Sequence, residues 1–379
     1  MGYIGRQPTG SILTGADIAD GSISTDKLAD TAVSTAKLAN NAVTSAKILD
    51  SSRLVSPIII NGDMSIAQRA TSSTGQTGSG YKTVDRIRLS PGGGMTFTVA
   101  QASESPTGQG FTKSYKVTST TGDASMTAAE YNIPLQMRME GNTLQSIKKG
   151  TSNAEKTTFA FWVYATVTGT YVLELTDDDN NRYVSQTYTI SSSNTWEKKI
   201  VNFPADTTGA FNNDNNKSMT INFWGGAGTN FTSGSLQTTW GAEDNTTRAS
   251  GQVNAFASNN NVWQITGLQY EIGEFSSTTI PTFPFTSADD NLKRCCRYFQ
   301  DYASYKLWTT ALDGNTTTRL GGTFAFNTTM RATPSVSKTN NTGTIDSQTI
   351  TDKGYSVFAE KSNRGTTTNV TDIELDSEL

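Results

Sequence analysis

The sequence predicts a mainly β protein with four parts: an N-terminal repeat shaft, a jelly-roll-like β-sandwich, one short α-helix and a small C-terminal β domain. Near the N-terminus, one apolar residue recurs at every fifth position. The middle of the chain consists of short segments in which apolar and polar residues alternate, separated by Gly, Asn and Asp, as is typical of a sandwich. A single segment has the apolar spacing of a convincing α-helix.

The N-terminal apolar ladder predicts an assembly of several chains. Five residues turn an α-helix by about 500°, so successive apolar side chains would point about 140° apart, and in a strand they would alternate between faces. A mixed unit fits better, because Ala36–Ala39 favours one helical turn and Ala42–Thr44 favours an extended piece. The alternative is a disordered linker, which has no reason to keep this register. The ladder consists of Leu13, Ile18, Ile23, Leu28, Val33, Leu38, Val43 and Ile48.

Strand predictions follow the alternating segments in order. Thr158–Ala165 alternates with large residues on both faces, and Thr170–Leu175 and Arg182–Ile190 flank an acidic turn and predict a hairpin. The long polar stretch Gly225–Asn261 predicts a surface excursion. Further strands are predicted over Thr83–Leu89, Trp196–Phe203, Met219–Trp224, Trp263–Ile272, Thr323–Phe326 and Tyr355–Phe358.

The helix prediction begins at Ser287, which can cap a helix whose first turn is acidic. Leu292, Cys295, Cys296 and Phe299 follow at i, i+3, i+4 and i+7, which is one apolar stripe. The two cysteines are therefore interpreted as core residues, with a reactive thiol pair as the alternative.

Composition excludes several function classes. The net charge of −4 over 379 residues gives no basic footprint for nucleic acid. Histidine is absent, which excludes catalysis that depends on an imidazole and excludes imidazole metal ligands. No apolar run approaches the roughly 20 residues of a membrane span, and no signal peptide is recognised at the N-terminus, so synthesis in a cytoplasm is expected.

Five segments carry a resemblance to bacteriophage tail-fibre or receptor-binding proteins. The decad Ala29–Leu38 looks like the repeats of such fibres, and Asn61–Arg69 is similar to a motif that follows them. Ile265–Gly273 together with Leu292–Phe299 resembles the end of the same module, and Met330–Pro334 resembles a segment of fibre tips. The resemblance covers most of the chain and implies a homotrimer, and a sandwich like those of carbohydrate-binding modules.

This resemblance implies a domain plan and a function. Residues 1–12 would bind the virion tail through its adaptor or nozzle protein, 13–52 would trimerise, 53–286 would form the sandwich, 287–302 a connecting helix, and 303–379 the tip. The expected function is that of a structural tail fibre, located in the virion, that attaches to a host-surface glycan or outer-membrane component. The alternatives are a head-decoration fibre and a bacterial carbohydrate-binding surface module.

Enzymatic activity is not expected. A glycan depolymerase would need two carboxylates on either side of a cleft. Glu104, Glu130, Glu140 and Glu174 are scattered without a recognisable signature.

Two kinds of binding residue are predicted. Saccharides stack on exposed aromatic rings, and the best candidates are Trp240 in the sandwich and Tyr302, Tyr305 and Trp308 near the tip. No cofactor is required, but a structural calcium ion is considered at two places. The turn containing Asp177 and Asp179 offers carboxylates, with a solvated turn as the alternative, and the resemblance to carbohydrate-binding sandwiches implies a second site at Asp63 and Glu271.

Overall fold

A computed structural model describes residues 57–302, 307–310, 318–342, 344–361 and 367–379. All of them belong to one compact unit, Val55–Leu379. The eight ladder residues and Tyr305 lie outside the described residues. The fold is mainly β, and none of its described helices is long and apolar enough to cross a membrane.

Two antiparallel sheets form the main body. The six-stranded sheet has the spatial order β1 (Ser72–Gln76), β4 (Thr96–Ala102), β5 (Ser114–Thr121), β14 (Val262–Ile272), β7 (Thr157–Ala165) and β10 (Glu197–Phe203). The eight-stranded sheet has the order β13 (Gly241–Ala242), β9 (Arg182–Ile190), β8 (Gly169–Asp177), β11 (Lys217–Phe223), β6 (Tyr131–Glu140), β3 (Arg88–Gly92) and β2 (Gly80–Tyr81), with β12 (Gly226–Ala227) also paired to β6.

The remaining elements lie in the excursion and in the C-terminal part. The helices are α1 (Thr229–Thr232) and α2 (Ala288–Cys295), with short 3-10 turns at Gly141–Thr143, Gln145–Ile147 and Asn245–Thr247. One C-terminal sheet contains β15 (Phe299–Tyr302), β21 (Thr367–Asp376), β16 (Leu307–Thr310) and β18 (Ser335–Thr342). Another contains β17 (Thr318–Ala325), β20 (Gly354–Lys361) and β19 (Thr344–Ile350).

The two large sheets pack face to face and bury a shared aromatic core. On β7, Phe159, Phe161 and Val163 point inward because alternate residues of a strand face the same side. The Phe161 ring meets Tyr188 of β9 and Phe223 of β11 edge-on, with ring centroids 5.1 and 5.0 Å apart. The predicted β-sandwich is therefore confirmed.

The predicted hairpin is also confirmed, because β8 and β9 pair from Gly169 opposite Ile190 to Asp177 opposite Arg182. The segment Thr83–Leu89 differs from its prediction, since a strand begins only at Arg88. Arg86 has a positive φ of 69°, and residues 83–87 are all buried, so the alternating sequence belongs to a buried loop and not to a strand with one exposed face.

Helix α2 begins as predicted but is shorter. Ser287 Oγ accepts a hydrogen bond from the amide of Asp290 at 3.1 Å, which satisfies an otherwise unpaired N–H. The helix ends at Cys295 and Phe299 starts a strand, because Phe299 pairs with Asp376 of β21. The predicted apolar stripe thus breaks down at its ends, and Leu292 is 38% exposed.

The C-terminal part is tied to the sandwich by a set of contacts that we call the junction. The amide of Asn61 donates to Asn291 Oδ1 at 3.1 Å, and the Gln68 side chain donates to the carbonyl of Phe299 at 2.9 Å. Arg69 lies 3.7 Å from the centroid of the Phe299 ring and pairs with Asp376 at 3.0 Å. Segments that are far apart in sequence therefore meet at one place.

Two buried glutamates complete the junction. Glu140 accepts two hydrogen bonds from the Arg297 guanidinium, at 2.8 and 2.6 Å, and one from the Tyr298 hydroxyl. Glu378 forms an ion pair with the fully buried Arg86, whose guanidinium stacks 3.4 Å from the centroid of Tyr298.

The two cysteines are predicted to be unreactive in the folded protein. Both are buried, and burial raises the pKa of Cys296 to about 11 and that of Cys295 well above its usual range. Since the thiolate is the reactive form, neither thiol should react with a thiol reagent at pH 8. Titration with a chromogenic disulfide is expected to find no accessible thiol in the native protein and two after denaturation. Rapid labelling of the native protein would contradict their assignment to the core.

Candidate ligand-binding surfaces

A group of aromatic side chains covers part of the outer surface of the six-stranded sheet. Because Val163 and Ala165 of β7 point into the core, Trp162 and Tyr164 point away from it. Trp196, just before β10, joins them, with its ring centroid 5.7 Å from that of Tyr164. All three are half-buried. We call Trp162, Tyr164 and Trp196 the aromatic face.

Polar side chains border the aromatic face. Lys198 of β10 and Thr266 of β14 stand opposite Trp162 on either side, and Gln264 stands opposite Tyr164. Directly opposed residues of antiparallel strands project to the same side, about 5 Å apart. Within the described part of the chain, neither Trp162 nor Trp196 uses its indole N–H in a hydrogen bond with the protein. The face therefore combines ring surface with unused donors.

Trp240, the predicted sandwich residue, is more constrained. Its indole N–H donates to the carbonyl of Pro204 at 3.0 Å, and the ammonium of Lys149 lies 4.8 Å from its ring centroid. It is half-buried and packs against the main core. The indole N–H of Trp240 and part of its ring surface are thus already engaged by other residues of the protein.

Of the three aromatic residues predicted near the tip, Tyr302 and Trp308 are among the residues that the structure describes. Tyr302 is half-buried, its hydroxyl donates to Gln300 Oε1 at 2.6 Å, and its ring packs 5.0 Å from that of Phe324. Trp308 lies on strand β16. Tyr302 and Trp308 both lie on strands of a C-terminal sheet and not on the six-stranded sheet that carries the aromatic face.

The carboxylates of the β8–β9 turn have protein partners. Asp177 is buried, pairs with the ammonium of Lys149, and accepts from the amides of Asp179 and Asn180 at 3.1 Å. Asp179 accepts from the amide and side chain of Asn212 at 2.9 and 2.8 Å. The Lys149 ammonium thus neutralises Asp177, which is the role that the sequence predicts for a calcium ion.

Asp63 and Glu271, the other predicted calcium ligands, line one narrow cavity beside Asn291. Asp63 Oδ1 accepts from the hydroxyl of Ser65 and from Asn291 Nδ2, both at 3.0 Å. Glu271 is buried and accepts from Gln269 at 2.9 Å. The residues that the structure describes contain no group of three or more acidic or cysteine side chains suited to a metal ion.

A polar row crosses the outer surface of the eight-stranded sheet. It runs from Arg88 to Gln136, on to Asn222 and then to Glu174, with successive hydrogen bonds of 2.7, 2.8 and 2.8 Å. Arg248 closes the row by donating twice to Glu174, at 2.6 and 2.9 Å. Partial burial and then the neighbouring Arg138 guanidinium lower the pKa of Arg88.

Sequence reasoning missed both surfaces for different reasons. The aromatic face had a signal, because Thr158–Ala165 carries large residues at both alternate sets of positions and one set must point outward. The polar row had none, because its members come from four strands that meet only in the folded sheet.

No model of a known protein family matches this sequence, and a search of curated proteins found no match. Among solved structures, the chain is similar to the enzymatically active domain of tailspike protein 4 from bacteriophage CBA120, at 13% identity and a TM-score of 0.30, over 57% of this chain and 21% of that one. It is also similar to the CBM22-1 xylan-binding domain from Paenibacillus barcinonensis, at 11% identity and a TM-score of 0.25, over 54% of this chain and 94% of that one.

A third likeness is to the CBM22-1–GH10 modules of a Clostridium thermocellum xylanase complexed with xylohexaose, at 11% identity and a TM-score of 0.23. It covers 47% of this chain and 25% of that one. The chain thus spans about a fifth of the tailspike structure and a quarter of the xylanase structure that it matches. TM-scores of this size add nothing to the fold that the two packed sheets establish.

Proposed function

We propose that this protein is a bacteriophage tail-fibre protein that attaches the virion to its host by binding a surface glycan at the aromatic face. The observation that carries the glycan part is Trp162, which points outward, is half-buried and has an unused indole donor. The fibre part rests on the five-residue ladder and on the motifs that resemble such fibres.

The chemistry of the aromatic face suits a sugar. The flat apolar surface of a pyranose ring can stack on an indole, and its hydroxyl groups need donors and acceptors at the border. Lys198, which is exposed on β10 beside Trp162, supplies a charged donor there, whereas Thr266 and Gln264 are buried and already bonded to Asp63 and Ser114. A single such contact is weak, so three copies on one fibre would gain affinity through multivalency.

The glycan proposal predicts that Trp162→Ala lowers binding on a glycan array, or to host cells, by about tenfold or more, since truncating a central aromatic anchor costs over 1 kcal/mol. Trp196→Ala should have a similar effect. Trp240→Ala is the matched comparison, because it removes the same side chain from the site that the sequence suggested. Loss of binding in the Trp240 variant with full binding in the other two would move the site to Trp240.

The fibre proposal predicts a trimer. Light scattering of the full chain at micromolar concentration should give a mass three times the 40.7 kDa of one chain. Placing charges in the ladder with Leu28→Asp and Leu38→Asp should lower that mass, because buried unpaired charges are costly. A monomeric parent protein would contradict the proposal.

A bacterial carbohydrate-binding surface module is a second candidate, because a glycan-binding sandwich does not itself require a virion. A reconstruction of the virion distinguishes the two. Density for this chain on the tail would support the tail fibre, density on the head would assign it to head decoration, and a virion without this chain would favour the bacterial module.

A further inference from the structure

On the outer surface of the eight-stranded sheet, two half-buried arginines, Arg88 and Arg138, lie between regions that other segments cover. At one end of β6, Tyr131 packs beneath Phe231 of the excursion, with ring centroids 5.5 Å apart. At the other end, Glu140 is covered by Arg297 and Tyr298 of the junction. Gln136 and Arg138 lie between these ends, and Arg88 of the adjacent β3 pairs with Gln136. We call Arg88, Gln136 and Arg138 the arginine groove.

The arginine groove holds two positive charges close together. Arg88 Nη1 and Arg138 Nε both donate to Gln136 Oε1, at 2.7 and 3.2 Å. In the described ranges, neither guanidinium forms an ion pair with an aspartate or glutamate. Arg248 and Arg297, by contrast, each pair with a buried glutamate. Two half-buried cations that share a neutral acceptor repel each other and are stabilised when an anion binds.

The groove is also preorganised. Gln136 is buried, and its amide is fixed by the hydrogen bond from its Nε2 to Asn222, which in turn donates to Glu174. Arg138 Nη1 additionally donates to the main-chain oxygen of Leu379 at 2.5 Å, which holds this guanidinium in place and leaves its Nη2 for a ligand. A guanidinium held in place loses little entropy when it binds a carboxylate or phosphate in bidentate fashion.

We propose that the arginine groove binds the anionic group of an acidic saccharide, a carboxylate or a phosphate, as a second site on the sheet opposite the aromatic face. This proposal rests on the proposed function for its ligand class, since a glycan-binding protein with two half-buried guanidiniums side by side is suited to charged sugars. Arg88 and Arg138 contact the anion, and Gln136 is a positioning residue.

The test measures binding of the full chain to matched pairs of saccharides on an array. Uronic-acid oligosaccharides are compared with their methyl esters, and sugar phosphates with their dephosphorylated forms, so that only the charge differs within a pair. The charged member is expected to bind at least about tenfold more tightly, with a preference that falls as salt rises. The uronate and phosphate arms identify which anion is preferred.

Arg88→Met and Arg138→Met are expected to abolish this preference without changing binding of the neutral members. Lys293→Met is the matched control, because it removes one positive charge from an exposed residue of α2. Melting temperatures verify that each variant is folded, and Arg88→Lys should retain only part of the preference because it loses the fork geometry.

Three outcomes would overturn the groove proposal: equal binding within all pairs, a preference that survives in both arginine variants, or one that the Lys293 variant loses equally. If neutral saccharides still bind and Trp162→Ala removes that binding, the proposed function stands while the groove proposal fails. If no saccharide binds at all, both fail.

Discussion

Replacing Glu378 by alanine is expected to lower the free energy of unfolding by about 3–5 kcal/mol, because it leaves a buried cation without its partner. The side chains of Arg86 and Glu378 are 2% and 4% exposed. The remaining contacts of the Arg86 guanidinium are a hydrogen bond to the carbonyl of Arg138 and the Tyr298 ring, and neither carries a full negative charge. Denaturant unfolding followed by tryptophan fluorescence measures the change.

The control for this ion pair is Glu104→Ala, which removes a glutamate that is 59% exposed and pairs with Lys116 at 3.2 Å. Surface pairs contribute about 0–1 kcal/mol, so this variant should be nearly as stable as the parent. The double variant Arg86→Met with Glu378→Leu should recover most of the loss, because it buries no charge. Equal effects of Glu378→Ala and Glu104→Ala would contradict the account of the junction.

Lys149→Met is expected to destabilise the sandwich by a similar amount, about 3–5 kcal/mol, because it leaves two carboxylates in the interior with fewer partners. The Lys149 side chain is 2% exposed, pairs with Asp177 and Asp206, and donates to the carbonyl of Gly209 at 2.7 Å. Lys148→Met is a matched control at the next position, since its side chain is 51% exposed and its partner is Glu155. It should change stability by less than about 1 kcal/mol.

The same network predicts how stability depends on pH. Burial of Asp206 acts to raise its pKa, but hydrogen bonds from Arg182 and Lys149 outweigh burial and leave the pKa below its usual range. A lowered carboxylate pKa contributes stability that is complete above the unfolded pKa and is lost as pH falls through the folded pKa. In Lys149→Met, the folded pKa of Asp206 should lie closer to its unfolded value, so acidification should remove less stability than in the parent protein, which denaturation at several pH values can measure. If the free energy of unfolding of the variant depends on acidic pH in the same way as that of the parent, Lys149 does not set the pKa of Asp206.

Local signals in the sequence predicted local structure well. The β8–β9 hairpin follows from two alternating segments around an acidic turn, and the start of α2 follows from Ser287 as a cap. The core position of Cys295 and Cys296 follows from their spacing on that helix. Each of these depends on one continuous segment of about twenty residues or fewer, where backbone preference and side-chain period act directly.

Features that depend on distant contacts were not predictable. The end of α2 is decided by β21, which pairs with Phe299 from 77 positions away along the chain, 376 against 299. The polar segment around Trp240 predicts an exposed ring, but polarity in sequence does not reveal the hydrogen bond to Pro204 or the lysine beside the ring. Arg88 and Gln136 meet through sheet pairing, and no pattern in either strand signals the other.

The junction has a mechanical consequence. Residues 61–69 at one end of the described unit contact residues 291–299 and 376 near the other, through Asn291, Phe299 and Asp376. Tension applied between these two ends would load the contacts of Arg69 and Gln68 first, while the strands of the two large sheets lie outside the shortest load path. Under pulling, the contacts of the junction should therefore break before the strands of the sandwich separate.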